Sequence, residues 1–223
     1  MNYIQVEVTR NCSEKCLVCP HRKWKMTGEM DLNLFLKVSN LFPNYDVVYL
    51  QGWGEPLQHS KIVEMLEIAK KKSKKAGFTT NGKKLKKFAE KIVKVTDYLL
   101  VSFAGVNSHD ELRSVNFDVA MEGVKAISEV KDSTNSKIRI GVSYMLTTLN
   151  YKECEEFVRI AKNAGVEYVA FTNLDYVFDS ITDELRLFGK KRRRSCRKSS
   201  KPRKKAWNES KSVSFKIRGK TGV

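Results

Sequence analysis

The chain has no secretory leader with a basic start and an apolar centre, and no run of about 18 apolar residues that could span a membrane. The first absence removes the setting in which disulfides persist, and five cysteines is in any case an odd number, so a disulfide framework is not expected. No internal repeat is present. Acidic residues are almost missing from one end. Residues 189–223 hold a single one, Glu209, against 15 Lys+Arg, a net +14 out of the chain's +17, which leaves +3 for residues 1–188. The basic clusters at 190–194 and 203–205, set among Ser and Pro with little periodic apolar content, predict a disordered basic C-terminal tail. Such an arm suits nucleic acid or an acidic protein, although Trp207 and Phe215 are too sparse for a base-stacking platform. A second origin also fits: a reading-frame change just after Phe188, which would replace a further C-terminal domain with meaningless basic sequence. The domain reading is therefore 1–188 as the core and 189–223 as the tail. Over 223 residues the chain can bury one substantial core.

The most informative stretch runs from Arg10 to His21 and places Cys12, Cys16 and Cys19 at x3 and x2 spacing. Three thiols so close can wrap one metal centre, and soft thiolates select zinc, copper(I) or iron–sulfur clusters. On a cubane of four irons, three cysteines leave one iron open, the natural place for a ligand to bind and react. A structural Cys3His zinc site that adds His21 competes with this reading. Cysteines kept reduced for a metal imply a cytoplasmic location. Cys154 sits on an apolar helix face and reads as a core residue, and Cys196 is alone in the tail.

Alternation of apolar and polar residues over Tyr3–Thr9 predicts a strand that leads directly into the cysteines. Asp31 is an N-cap ahead of the helical stripe Leu34, Phe35, Val38, Leu41 and Phe42, which Pro43 should stop. Strands follow at 47–50, 77–80, 98–103, 138–145 and 167–172. Each of the first four is followed by a helical stripe, such as Leu85, Phe88, Ile92 and Val95. Lys-rich stretches such as Lys70–Lys72 read as solvated helix faces. Six strands alternating with helices imply a parallel sheet in an open, TIM-like α/β barrel, whose chemistry sits in the loops after the strands. Those loops carry the cysteines, then Gln51-Gly-Trp-Gly-Glu-Pro56, then Thr79-Thr-Asn-Gly82, then Ser102. Gly52 and Gly54 would let backbone approach a ligand closely.

The Cx3Cx2C of Cys12, Cys16 and Cys19, followed in order by Gly52-Trp-Gly-Glu-Pro56, Thr79-Thr-Asn-Gly82 and Val101-Ser102, resembles the radical S-adenosylmethionine (SAM) superfamily over roughly residues 3–178. The resemblance implies a partial (βα)6 TIM-like barrel of the radical SAM type, with a [4Fe-4S] cluster on the three cysteines and S-adenosyl-L-methionine on the open iron. In that family one electron splits SAM to methionine and a 5′-deoxyadenosyl radical, which abstracts a substrate hydrogen. It further implies that backbone from Gly52 to Glu55 receives the SAM ammonium, with the Glu55 charge nearby, and that Ser102 and Asn81 contact its carboxylate or ribose. Taken alone, Asn81 reads better as a turn residue. Val18 departs from the aromatic usual before the third cysteine, and Ala104 from the acidic residue often found after the strand-four serine. Within the superfamily the chain resembles the branch that modifies peptides or matures enzyme cofactors and, more weakly, archaeal maturases associated with tungsten-cofactor oxidoreductases. The implied partners are a substrate peptide or a partner-enzyme cofactor, and an electron donor such as ferredoxin or flavodoxin. No catalytic side chain is assigned. The other readings are a nucleic-acid-binding protein with the zinc site and basic arm, and an inactive, truncated core of the same superfamily.

Overall fold

The computed structural model describes residues 2–24 and 27–188, together with the backbone of Val213–Lys216. Six parallel strands pair in sequence order: β1 (Tyr3–Val6), β2 (Val47–Leu50), β3 (Lys75–Thr80), β4 (Tyr98–Phe103), β5 (Arg139–Leu146) and β6 (Tyr168–Asn173). A seventh, β7 (Val213–Lys216), adds antiparallel to β6, so part of the stretch expected to be disordered forms an edge strand. The expectations for residues 189–212 and 217–223, Cys196 included, lie outside the described residues. The helices are α1 (Leu32–Val38), α2 (Ile62–Lys72), α3 (Leu85–Val95), α4 (His109–Leu112), α5 (Phe117–Ser133), α6 (Cys154–Asn163) and α7 (Ser180–Leu185). None of them is long and apolar enough to cross a membrane.

The two faces of the sheet differ in burial. Val48, Leu50, Phe78, Leu99, Val101, Ile140, Val142 and Val169 are fully buried and share one core with the apolar stripes of the helices. In α3 these are Leu85, Ala89, Ile92 and Val93, the i, i+4, i+7, i+8 spacing of one helix face, while the lysines between them face water. Each such buried aliphatic or aromatic side chain contributes about 1.5–3 kcal/mol. The opposite, concave face carries Tyr49, Tyr98, Ser102, Ser143 and Tyr168, all only half-buried. Its floor is closed by rings laid over glycines, Tyr49 over Gly77 and Tyr168 over Gly141, where a methyl would have no room. The half-open face leaves the C-terminal mouth accessible.

Local signals account for the boundaries. Asp31 accepts the Leu34 N–H at 2.9 Å, so α1 starts where the N-cap predicted. Its α-helical part ends at Val38, and a 3-10 turn over Ser39–Asn44 carries the chain through Pro43. β1 is shorter than its alternation suggests, because Thr9 has left β2 to bridge Glu29. Helices α4 and α7 were not expected, since four to six residues are too few to display a 3.6-residue period.

Because β1 and β6 stand at opposite sides of the parallel sheet, the segments that follow them must be joined across the mouth. Arg22, past the cysteines, donates to Asp179, the N-cap of α7, and also lies over the Phe178 ring at 5.2 Å. Asp179 and Thr182 form a reciprocal capping box that fixes this carboxylate in place.

Candidate active site

The cysteine turn is pinned to the end of α4 and the segment after it. Leu17 donates its N–H to Leu112 at 3.0 Å, Lys15 to the Ser114 hydroxyl at 3.1 Å, and the Ser114 N–H reaches the Cys16 sulfur at 3.5 Å. Cys16 and Val18 are buried in a small apolar cluster with Ala104, Leu112, Leu174 and Leu185. The turn closes on itself through the Cys19 N–H to the Cys16 carbonyl at 3.0 Å. From the other side, buried Glu14 holds Lys83 at 2.6 Å, tying the turn to the loop after β3. All three cysteines line one cavity of about 370 Å³, lined also by Val18, Gln51–Glu55, Thr79–Asn81, Ser102, Arg113, Met145 and Asn173–Tyr176. His21 does not line it, and its Nε2 lies 2.7 Å from the Arg10 carbonyl.

The electrostatics of the thiols suit a cationic centre. Burial pushes the Cys12 thiol up to about 11, the Glu14 N–H opposes this, and Glu55, Cys16 and Cys19 add to it. Burial also raises Cys19, against the pull of the His21 N–H. Thiols raised in this way ionise together only when positive charge sits beside them, which a metal supplies. Among the described residues no three His, Cys, Asp or Glu side chains converge on one point as for a single ion.

Glu55 turns out to be a hub. It is buried, and its carboxylate accepts the Leu57 N–H at 3.0 Å, the Thr80 hydroxyl at 2.7 Å and the Asn81 N–H at 2.7 Å. Its own N–H donates to the Asn11 carbonyl at 2.9 Å, so one residue joins the loops after β1, β2 and β3. Burial raises the carboxyl, and those three donors pull it back down. Gly54 fits because a methyl there would overlap the Thr9 carbonyl, and at Gly52 it would meet the Glu7 side chain. Both glycines thus serve loop against loop. Asn81 accepts the Lys83 N–H at 3.0 Å, a turn role, while still lining the cavity, and Gly82 follows with φ 85°. Ser102 is half-buried at the end of β4 and faces the same space.

Sequence reasoning passed over Arg113. It is the one basic residue among those lining the cavity, and its buried Nε has no hydrogen-bond partner among the described residues. Its neighbour His109 is fully buried against Phe103 and Phe117, with Nδ1 accepting the Ala104 N–H at 3.3 Å. Burial, and then the Arg113 charge, lower this imidazole to about 4, opposed by Asp110. The signal that could have found Arg113 was its place just beyond strand four, on the side where the other loops converge.

The model of the radical SAM superfamily matches residues 6–161. The chain belongs to that superfamily. The cofactors of the superfamily are a [4Fe-4S] cluster and SAM. Among curated proteins this superfamily member is similar to a tungsten-containing aldehyde ferredoxin oxidoreductase cofactor-modifying protein of Pyrococcus furiosus, 29% identical over 202 residues, 82% of this chain and 57% of that one. It is also similar to an Fe-coproporphyrin III synthase of Methanosarcina barkeri, 23% identical over 177 residues, 76% of this chain and 43% of that one. The chain thus spans about half the length of these curated relatives. Among solved structures, Streptococcus suis SuiB bound to S-adenosylmethionine superposes with a TM-score of 0.69 at 18% identity, over 81% of this chain and 42% of SuiB. The partial radical SAM barrel is therefore shared, with the cysteine turn at its mouth.

Proposed function

We propose that this chain is a radical SAM enzyme whose Cys12, Cys16 and Cys19 hold a [4Fe-4S] cluster and whose cavity binds SAM, and that it acts in cofactor maturation or peptide modification. The observation that carries this reading is the convergence of three thiols and the polar ends of several strands on one cavity. Each of the three cysteines would bind a separate iron of the cluster and leave the fourth iron open. When bound and reduced, a cluster on Cys12, Cys16 and Cys19 would supply one electron to SAM for the radical chemistry of the superfamily.

The chain's own residues bind and orient. Arg113, the basic residue lining the cavity, receives the SAM carboxylate, and the Ser102 hydroxyl is available to the same group or to the ribose. Backbone carbonyls between Gly52 and Glu55 accept from the ammonium. The Glu55 carboxylate acts through position, since its oxygens are already engaged by the loops it joins. Val18 offers apolar contact to the adenine. The cofactor-maturing branch is favoured by the names of the two curated relatives, each of which acts on an enzyme cofactor or a tetrapyrrole. A reduced ferredoxin or flavodoxin is the fitting electron source, and a cytoplasmic location fits the reduced thiols.

Anaerobic iron–sulfur reconstitution tests the reading. The expected product is a brown protein with about four irons per chain that cleaves SAM under a strong reductant. A colourless protein that retains zinc and leaves SAM intact would overturn it.

A further inference from the structure

Four aromatic rings cluster beside the cavity, and Trp53 and Tyr176 line it. Trp53 leaves β2, Tyr176 and Phe178 leave β6, and Trp24 follows the cysteine turn. The Trp53 and Tyr176 centroids are 5.1 Å apart at 56°, Trp24 meets Tyr176 edge-on at 6.5 Å, and Phe178 lies 6.1 Å from Trp24. Trp53, Trp24 and Tyr176 nevertheless remain 41%, 44% and 48% exposed. Large rings left open to water together, at the lip of a cavity that two of them line, mark a contact surface. The rings are not needed to close the mouth, because the Arg22–Asp179 pair already joins its two sides.

We propose that Trp53 and Tyr176, backed by Trp24, dock a flat conjugated nitrogen heterocycle, which is the substrate of this site. The inference rests on the reading that the cavity below holds the cluster and SAM. At about 370 Å³ that cavity is at the small end of ligand sites, so with the cluster and SAM in it a substrate meets the chain at its lip. The lip directly above is aromatic. Indole and phenol faces set at an angle receive a planar ring, offset on one and edge to the other, over a large area at little entropic cost. An aliphatic group would gain no such geometry. Asp175, exposed beside Tyr176 and lining the same space, adds an acceptor for N–H groups on a ring edge.

The test uses the reconstituted full chain, titrated with 6-hydroxymethylpterin and separately with iron coproporphyrin III, and followed by tryptophan fluorescence. The two probes distinguish a fused bicycle from a macrocycle. At least one should bind saturably. Trp53→Leu and Tyr176→Leu, which keep apolar bulk without a π-face, should each raise its Kd about tenfold, the scale of one lost stacking partner. Trp53→Phe should recover most of the ring affinity, and in Tyr176→Leu, whose residue takes no part in the SAM contacts, SAM affinity should stay within about twofold. Failure of the wild type to bind either ring overturns the inference, as does ring binding indifferent to both Leu variants. Parallel loss of SAM affinity in Tyr176→Leu also overturns it, by making the rim a shelf for adenine. Loss of SAM binding by the wild type overturns the proposed function itself, a separate result read from the SAM titration and cluster absorbance.

Discussion

The Thr80 hydroxyl donates to the Glu55 carboxylate at 2.7 Å, joining the loop after β2 to the end of β3 beneath the cysteine turn. With the Asn81 and Leu57 N–H groups on the same carboxylate, and the Glu55 N–H on Asn11, the pair is the keystone of the cavity wall. Glu55→Gln would face one of these N–H donors with an amide NH2 in either orientation, leaving a buried clash. The expected cost is about 1–3 kcal/mol of stability. Thermal unfolding of the variant should shift down by several degrees, and SAM affinity should fall with it. An unshifted melting curve would mean that the carboxylate is not held as described.

Gly52 and Gly54 should differ sharply on substitution. An alanine methyl at Gly54 meets Thr9 backbone, which cannot move without displacing the turn, whereas at Gly52 it meets the flexible Glu7 side chain. Gly54→Ala is expected to cost about 1–3 kcal/mol and to weaken cluster retention, and Gly52→Ala to cost clearly less. Denaturant midpoints of the two variants check the order.

Cys16→Ala should abolish the cluster, because two thiolates cannot hold a cubane with one open corner. Cluster absorbance and SAM cleavage should disappear together, while far-ultraviolet circular dichroism stays close to that of the parent, since the core is the strand-and-helix set remote from the turn. Cys154→Ala should leave the cluster intact and cost about 1 kcal/mol. Loss of the cluster in the Cys154 variant would point to a four-cysteine centre and against SAM on an open iron.

Arg113→Gln should leave iron content unchanged and weaken SAM binding, since a charge-assisted hydrogen bond of about 1.5–3 kcal/mol is removed. That corresponds to roughly a 10- to 100-fold rise in Kd, with Arg113→Lys intermediate because it keeps charge without the planar fork. Equilibrium titration of SAM against the reconstituted variants measures it.

His109 makes stability depend on pH. Its folded-state value of about 4 lies below the ordinary 6.5, so the unfolded chain binds the extra proton between those limits. Its favourable burial as a neutral ring is complete above pH 6.5 and is lost as pH falls toward 4, an effect on the order of 3 kcal/mol. Urea midpoints should fall across that window in the parent protein and fall less in His109→Phe.

Much of the barrel was legible in the residues themselves. A strand period of two and a helix period of 3.6 are local properties, so β2 and β4, and the buried face of α3, could be read directly. The spacing of Cys12, Cys16 and Cys19 is equally local, and so is the order of the polar loops that follow the strands. What the sequence by itself determined was therefore the alternation of elements, the family pattern and the identity of the thiols. Tertiary structure decided which side chains were free to meet a ligand. Glu55 was expected as a charge near the SAM ammonium, and its carboxylate is engaged by Thr80, Asn81 and Leu57. Arg113 follows a four-residue helix with no period of its own and reaches the cavity because the cysteine turn is hydrogen-bonded to its neighbours. Trp53 and Tyr176 come together only because an open barrel brings the loops after β2 and β6 to one lip. Pairings between segments so far apart in the chain leave no local period, and packing alone creates them.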